Sequence, residues 1–122
     1  MTEPMPTTVL TVLTTTDTPG KAEALARGAV EARVAACAQI NGPVTSVYRW
    51  EGAVETAREW QVLLKTTDHR YADLESWLTQ AHDYDTPEII ATPVPRGSAA
   101  YLSWVAEEVQ APPVSEDERE AR

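Results

Sequence analysis

"PVTSVYRWEGAVETAREWQVLLKTT", residues 43–67, decides the fold. Val44, Tyr48 and Trp50 precede Glu51-Gly52, and Val54, Trp60, Val62 and Leu64 follow it. The apolar residues recur with a period of two, the spacing of a strand that buries one face. Glu51-Gly52 then reads as a two-residue turn, so the stretch predicts an antiparallel hairpin. Its arms are long for strands, which usually run to about 5–6 residues. Tyr48, Trp50 and Trp60 lie out toward its tip, more aromatic surface than one small domain covers. The expectation is that another subunit covers it.

The flanks complete the pattern. "VLTVLTTT" (9–16) is rich in β-branched residues and predicts a strand. In "DTPGKAEALARGAVEARVAAC" (17–37), Thr18 supplies an N-cap and Pro19 a first turn. Ala22, Leu25, Ala26, Ala29 and Val30 form a narrow face of small residues suited to lying close on a sheet. "DHRYADLESWLTQAH" (68–82) predicts a second helix, capped by Asp68, with Tyr71, Leu74, Trp77, Leu78 and Ala81 on one face. "TPEIIATPV" (86–94) follows as a strand. "GSAAYLSWVAEEVQ" (97–110) is a last helix, capped by Ser98, with Tyr101, Leu102, Val105 and Val109 inward. The order β-α-β-β-α-β plus a helix is α+β, the split βαβ arrangement of ferredoxin-like sandwiches. Residues 1–8 are expected to be a flexible lead-in, 9–110 the single domain, and 111–122 a disordered acidic tail.

Composition narrows the function. With 122 residues, 43% hydrophobic and 24% charged, the chain is one globular domain. It lacks the run of about 20 apolar residues that a membrane span needs, and its start does not resemble a signal peptide. A lone cysteine, Cys37, forms no intrachain disulfide. A cytoplasmic protein without a membrane partner is expected. The net charge of -9 and the absence of Phe argue against a nucleic acid partner, which needs a basic surface and stacking aromatics.

"HDYDTPEII" (82–90) places His82 beside Asp83, Asp85 and Glu88. One reading is a helix C-terminus, where an imidazolium meets the dipole favourably. The other is a divalent-cation ligand aided by a carboxylate, although one imidazole is a poor site alone and no H-x-x-x-H or C-x-x-C is present. His69 lies a helix length away. Cys37, at the junction of helix one and strand two, reads as a small buried hydrophobe or as a soft ligand for copper. Lys65, in the apolar run "VLLKTT", reads with Glu59 and Arg33 as a structural ion pair or as an anion contact in a cleft. Tyr48, Trp50, Trp60, Tyr84 and Trp104 serve as core and interface anchors or as pocket walls. There is no Gly-rich phosphate loop and no G-x-S-x-G. Nothing specifies a reaction, and no enzyme is expected.

Five segments together resemble one family. "EARVAACAQI", "SVYRWEG", "VLLKTT", "HDYDTPEIIATPV" and "YLSWV" occur in the order and spacing of the CutA divalent-cation tolerance proteins, from Val9 to Val109. The resemblance implies a ferredoxin-like homotrimer whose hairpins extend the sheets of neighbouring subunits. It also implies a role in tolerance to copper and other divalent ions. Cys37, Tyr48, Trp50, Gly52, Glu59, Lys65, His82, Tyr84, Pro87 and Glu88 match the family's recurrent positions. Asp83 stands where proline is usual, and Gln39 where Asn is frequent. On this reading His82, Cys37 and Glu88 contact metal, and Glu59, Lys65 and Tyr84 line an intersubunit cleft. Tyr48, Trp50 and Trp60 hold the trimer. No cofactor is obligatory, with Cu²⁺ or another divalent cation as the bound ion. The partners are the chain itself and divalent metal ions. The alternative is a PII-like signalling module that binds a small anionic ligand or a partner protein.

Overall fold

In the computed structural model, the described residues are 7–110. The tail at 111–122 lies outside them, as does the lead-in except for Thr7 and Thr8. Seven elements follow in order: β1 Val9–Thr16, α1 Pro19–Glu31, β2 Cys37–Trp50, β3 Ala53–Thr67, α2 Tyr71–Ala81, β4 Ile90–Val94 and α3 Ala99–Glu108. The four strands form one sheet in the order β2-β3-β1-β4, every neighbouring pair antiparallel. This is the expected ferredoxin-like fold.

The hairpin is as long as its alternation implies, 14 residues in β2 and 15 in β3. Glu51 and Gly52 both have positive φ, 48° and 82°. That pair of left-handed residues makes a turn whose twist matches the strands, and glycine takes the second place without steric cost. Register slips once, between Asn41 and Val44, at the cis Gly42-Pro43 bond. Gly42 is required there, because a Cβ would stand 2.6 Å from Trp60 Cδ1.

Alternation then sorts the strand residues between two faces. Val12, Val62 and Leu64 pack under α1 and α2, against Ala22, Leu25, Ala26, Ala29, Leu74 and Leu78. Small residues along α1 let the helix sit close to the sheet. Val9, three residues from Val12 and so on the opposite face, joins Ala36, Val105 and Val109 in a second cluster under α3. That face is otherwise open, and it carries the features of functional interest.

Thr18 and Ser98 cap α1 and α3 as expected, accepting from the backbone N–H of Lys21 and Tyr101. Five details depart from expectation, the first being Tyr101 of α3, expected inward yet exposed. Val30 and Ala81 point to solvent, at the ends of their helices beyond the sheet. Asp68 does not cap α2; its Oδ1 accepts from the backbone N–H of Thr8 and of His69, tying the start of β1 to the end of β3. β4 begins only at Ile90, because residues 82–89 form a loop that Pro87 interrupts.

Candidate functional site

The loop between α2 and β4 folds back over the open face where β1 ends beside the middle of β3. His82 anchors it. The imidazole is fully enclosed, and its Nε2 lies 2.7 Å from the Thr15 carbonyl oxygen. A carbonyl only accepts, so Nε2 carries the hydrogen. Nδ1 is then free to accept the backbone N–H of Tyr84 at 3.1 Å. The rings of His82 and Tyr84 lie 4.6 Å apart, centre to centre. Both imidazole nitrogens are committed, so in this conformation His82 has no lone pair for a metal ion.

The next residue holds the loop from outside. Asp83 Oδ2 accepts from Lys21 Nζ at 2.6 Å, and the same ammonium donates to Asp17 Oδ1 at 2.9 Å. The two carboxylates, Asp17 first, raise Lys21 to about 12. The hydrogen bond from Lys21 in turn holds Asp83 below the usual carboxylate range. The proline that the resemblance leads one to expect would stiffen this position; here an ion pair to α1 restrains Asp83 instead.

Beyond these anchors the loop and the hairpin enclose a cleft of about 660 Å³. Its hairpin side is formed by Ser46, Tyr48, Trp50 and Glu59, and its loop side by Tyr84, Asp85 and Glu88. Tyr84 donates its hydroxyl to Glu59 Oε2 at 2.9 Å across the floor. Burial, then the hydrogen bond to Glu59, then the charges of Glu59, Asp17 and Asp83 push the Tyr84 phenol far above its ordinary value. It therefore remains a donor at any physiological pH. Glu59 is only 9% exposed.

The expected site residues do not all meet here. Glu59, Tyr84 and Glu88 line the cleft together. Lys65 does not. It is six residues along β3 from Glu59, about 20 Å at the rise of a strand, and its ammonium donates to Gln39 Oε1. Cys37 pairs opposite Lys65 and lies 3.4 Å from the Tyr101 hydroxyl, under α3. The hydrogen bond with Cys37 and burial lift the Tyr101 phenol to about 12. Among the described residues no three His, Cys, Asp or Glu side chains stand together in a metal-holding group.

The aromatic residues also divide. Tyr48 and Trp50 remain 44% and 49% exposed in the isolated subunit, on the cleft side of the hairpin. Val47 and Val54 are more exposed still and alternate onto its other side, with Val47 also reaching the rim of the cleft. Trp60 departs from the expectation of an interface at the tip. It alternates with Val62 and Leu64, so it faces the helices, packed against the core and over Gly42. Sequence reasoning missed Thr15 and Ser46 as lining residues and Lys21 as the loop's restraint. Only the strand register reveals the first two, and Lys21 meets a residue 62 positions away.

Comparison with known proteins matches this architecture. The family model described as "CutA1 divalent ion tolerance protein" matches residues 10–108. The divalent-cation tolerance protein CutA of Thermus thermophilus is 40% identical over 96 residues, 79% of this chain and 93% of its own. That of an Escherichia coli strain is 42% identical over 100 residues, 81% of this chain and 88% of its own. Among solved structures, the Thermus thermophilus divalent cation tolerance protein superposes with a TM-score of 0.80 at 38% identity, covering 82% of this chain and 97% of that one.

Proposed function

The chain belongs to the CutA1 divalent ion tolerance family, and on that premise we propose that it serves divalent-cation tolerance as a homotrimer. In this reading Cu²⁺ or a related divalent ion is held at the seam between subunits, and no reaction is catalysed. The observation that carries the reading is the acidic cleft beside a bare aromatic hairpin. Glu59, Asp85 and Glu88 face a space that, among the described residues, no Lys, Arg or His side chain lines. One subunit lacks the ligand set that a transition metal needs. A neighbour seated along Val47, Val54, Tyr48 and Trp50 brings further side chains to the rim. Here His82 acts by holding the loop that carries Asp85 and Glu88. Cys37, away from the cleft, is a separate soft donor. The anion-binding alternative loses its support, because Lys65 stands at the far end of β3.

Calorimetric titration of the tag-free protein with Cu²⁺, alongside light scattering, tests this. A trimer at micromolar concentration is expected, with saturable binding of defined stoichiometry that weakens in Glu59→Gln and Glu88→Gln. A monomer, or binding equal in all three proteins, refutes the reading.

A further inference from the structure

We infer that residues 82–89 form a strap with an ionic fastening, in which Lys21 on the helix side of the sheet governs how often the strap opens on the other side. Every contact involved lies within one subunit, so the inference does not depend on which ion the cleft takes. Consecutive residues attach the strap, each to a different layer. Asp83 reaches outward to Lys21 on α1, whose ammonium also holds Asp17. His82 bonds the Thr15 carbonyl at the end of β1. Tyr84 crosses to the open face and donates to Glu59 on β3. The strap therefore passes round the end of β1 from one face of the sheet to the other. Its fastening sits on α1, which covers the face opposite to Tyr48 and Trp50.

Beyond Tyr84 the strap is almost unattached. Among the described residues, Asp85, Thr86, Pro87 and Glu88 make no hydrogen bond. The next fixed point is Ile89, packed against the core. A stretch with few buried contacts and few backbone bonds opens locally at small cost in free energy. The attachments are also unequal. The His82 side chain is fully enclosed, and Glu59, which receives Tyr84, is buried. The Lys21–Asp83 pair is half-exposed, at 45% and 50%. Dissolved ions thus reach this fastening and not the other two. An exposed ion pair contributes little and is weakened by salt, so it yields first. Once Asp83 is released, His82 and Tyr84 on either side of it hold the strap alone, and it departs from Thr15 and Glu59 more often. Ionic strength on the helix side is in this way transmitted to the open face.

The test is hydrogen exchange of the full chain, read amide by amide by NMR, at about 0.02 M and about 1 M salt. The Tyr84 N–H, bonded to His82 Nδ1, reports the strap. The Leu74 N–H, bonded to the Arg70 carbonyl, reports the subunit as a whole. Lys21→Met should speed exchange at Tyr84 about threefold to fivefold in low salt, the range of one exposed pair. High salt should speed the parent similarly and the variant much less, with Leu74 unmoved in both. Lys21→Arg keeps the charge and should stay near the parent. Asp83→Pro replaces the ion pair by a ring, and His82 before it is already extended, with φ −79° and ψ 146°, as proline requires of its predecessor. That variant should lose its salt dependence at Tyr84, and adding Lys21→Met to it should change nothing further. Unaltered Tyr84 exchange in Lys21→Met overturns the inference, as does an Asp83→Pro variant as salt-sensitive as the parent. Equal acceleration at Leu74 also overturns it, since the whole subunit would then be loosening. Each outcome is read without Cu²⁺, so the metal reading stands or fails separately.

Discussion

The His82 ring and the Thr15 backbone are joined across the molecule: Nε2 donates to a carbonyl 67 residues away in sequence, at 2.7 Å. This bond fixes the tautomer, and the tautomer fixes the next contact, from the Tyr84 N–H to Nδ1. The loop that forms one wall of the cleft therefore hangs on a single enclosed imidazole.

Replacing that ring removes two hydrogen bonds and leaves a cavity. His82→Ala is expected to destabilise the protein by about 2–4 kcal/mol. His82→Gln, whose amide can still donate to Thr15, should recover part of the loss. Urea denaturation at fixed protein concentration reads both. Equal stability of His82→Ala and the parent would mean that the loop is held by other contacts.

The Lys21–Asp83 pair gives stability a defined pH window. Asp83 has a folded value below its unfolded one, so its contribution is complete above about pH 5 and fades as pH falls through the folded value. Lys21 is raised, so its contribution is complete below the ordinary lysine value of 10.5 and fades as pH rises through about 12. The stability difference between parent and Asp83→Asn should therefore be flat near neutrality and shrink at both extremes. Denaturation midpoints from pH 2 to 10 follow the acid limb. A difference that grows on acidification would contradict the assignment.

Trp50 and Trp60 should behave in opposite ways. Trp50→Ala removes a half-exposed side chain, so the subunit should keep its fold while the proposed trimer dissociates at least about tenfold more readily. Trp60→Ala opens a hole beside the core and should cost about 3 kcal/mol or more of subunit stability. Light scattering over a dilution series, together with denaturation, separates the two. Identical profiles for both variants would count against the division of faces.

Glu59 and Tyr84 form a pair whose coupling can be measured directly. Tyr84→Phe strips the donor from an enclosed carboxylate and should cost about 1–3 kcal/mol. Adding Glu59→Gln should not cost as much again, with a coupling of about 1–2 kcal/mol in a double-mutant cycle. Strict additivity would show that the 2.9 Å contact carries no energy.

Features that depend on neighbours in sequence were legible, and those that depend on distant partners were not. The two-residue turn, the period of two and the Thr18 and Ser98 caps are local, and each appears where the residues predict. Asp68 looks like a helix cap until Thr8, 60 residues earlier, is found against it. His82 looks like a ligand for the same reason, since nothing in "HDYDTPEII" announces the Thr15 carbonyl. Trp60 differs from expectation for another reason: its parity with Val62 and Leu64 assigns it to the helix face, however close to the turn it lies.

The order β2-β3-β1-β4 leaves two strands with one border each unpaired, and the borders are unequal. β4 is five residues long and contains Pro93, which has no N–H to offer, so it makes a poor template for another strand. β2 runs for 14 residues and loses a donor only at Pro43. Growth by strand addition is therefore directional: the receptive border accepts, while the blunted one terminates. In the proposed trimer a neighbour covers the β2 border, and variants that dissociate it should be watched for fibres as well as for monomers.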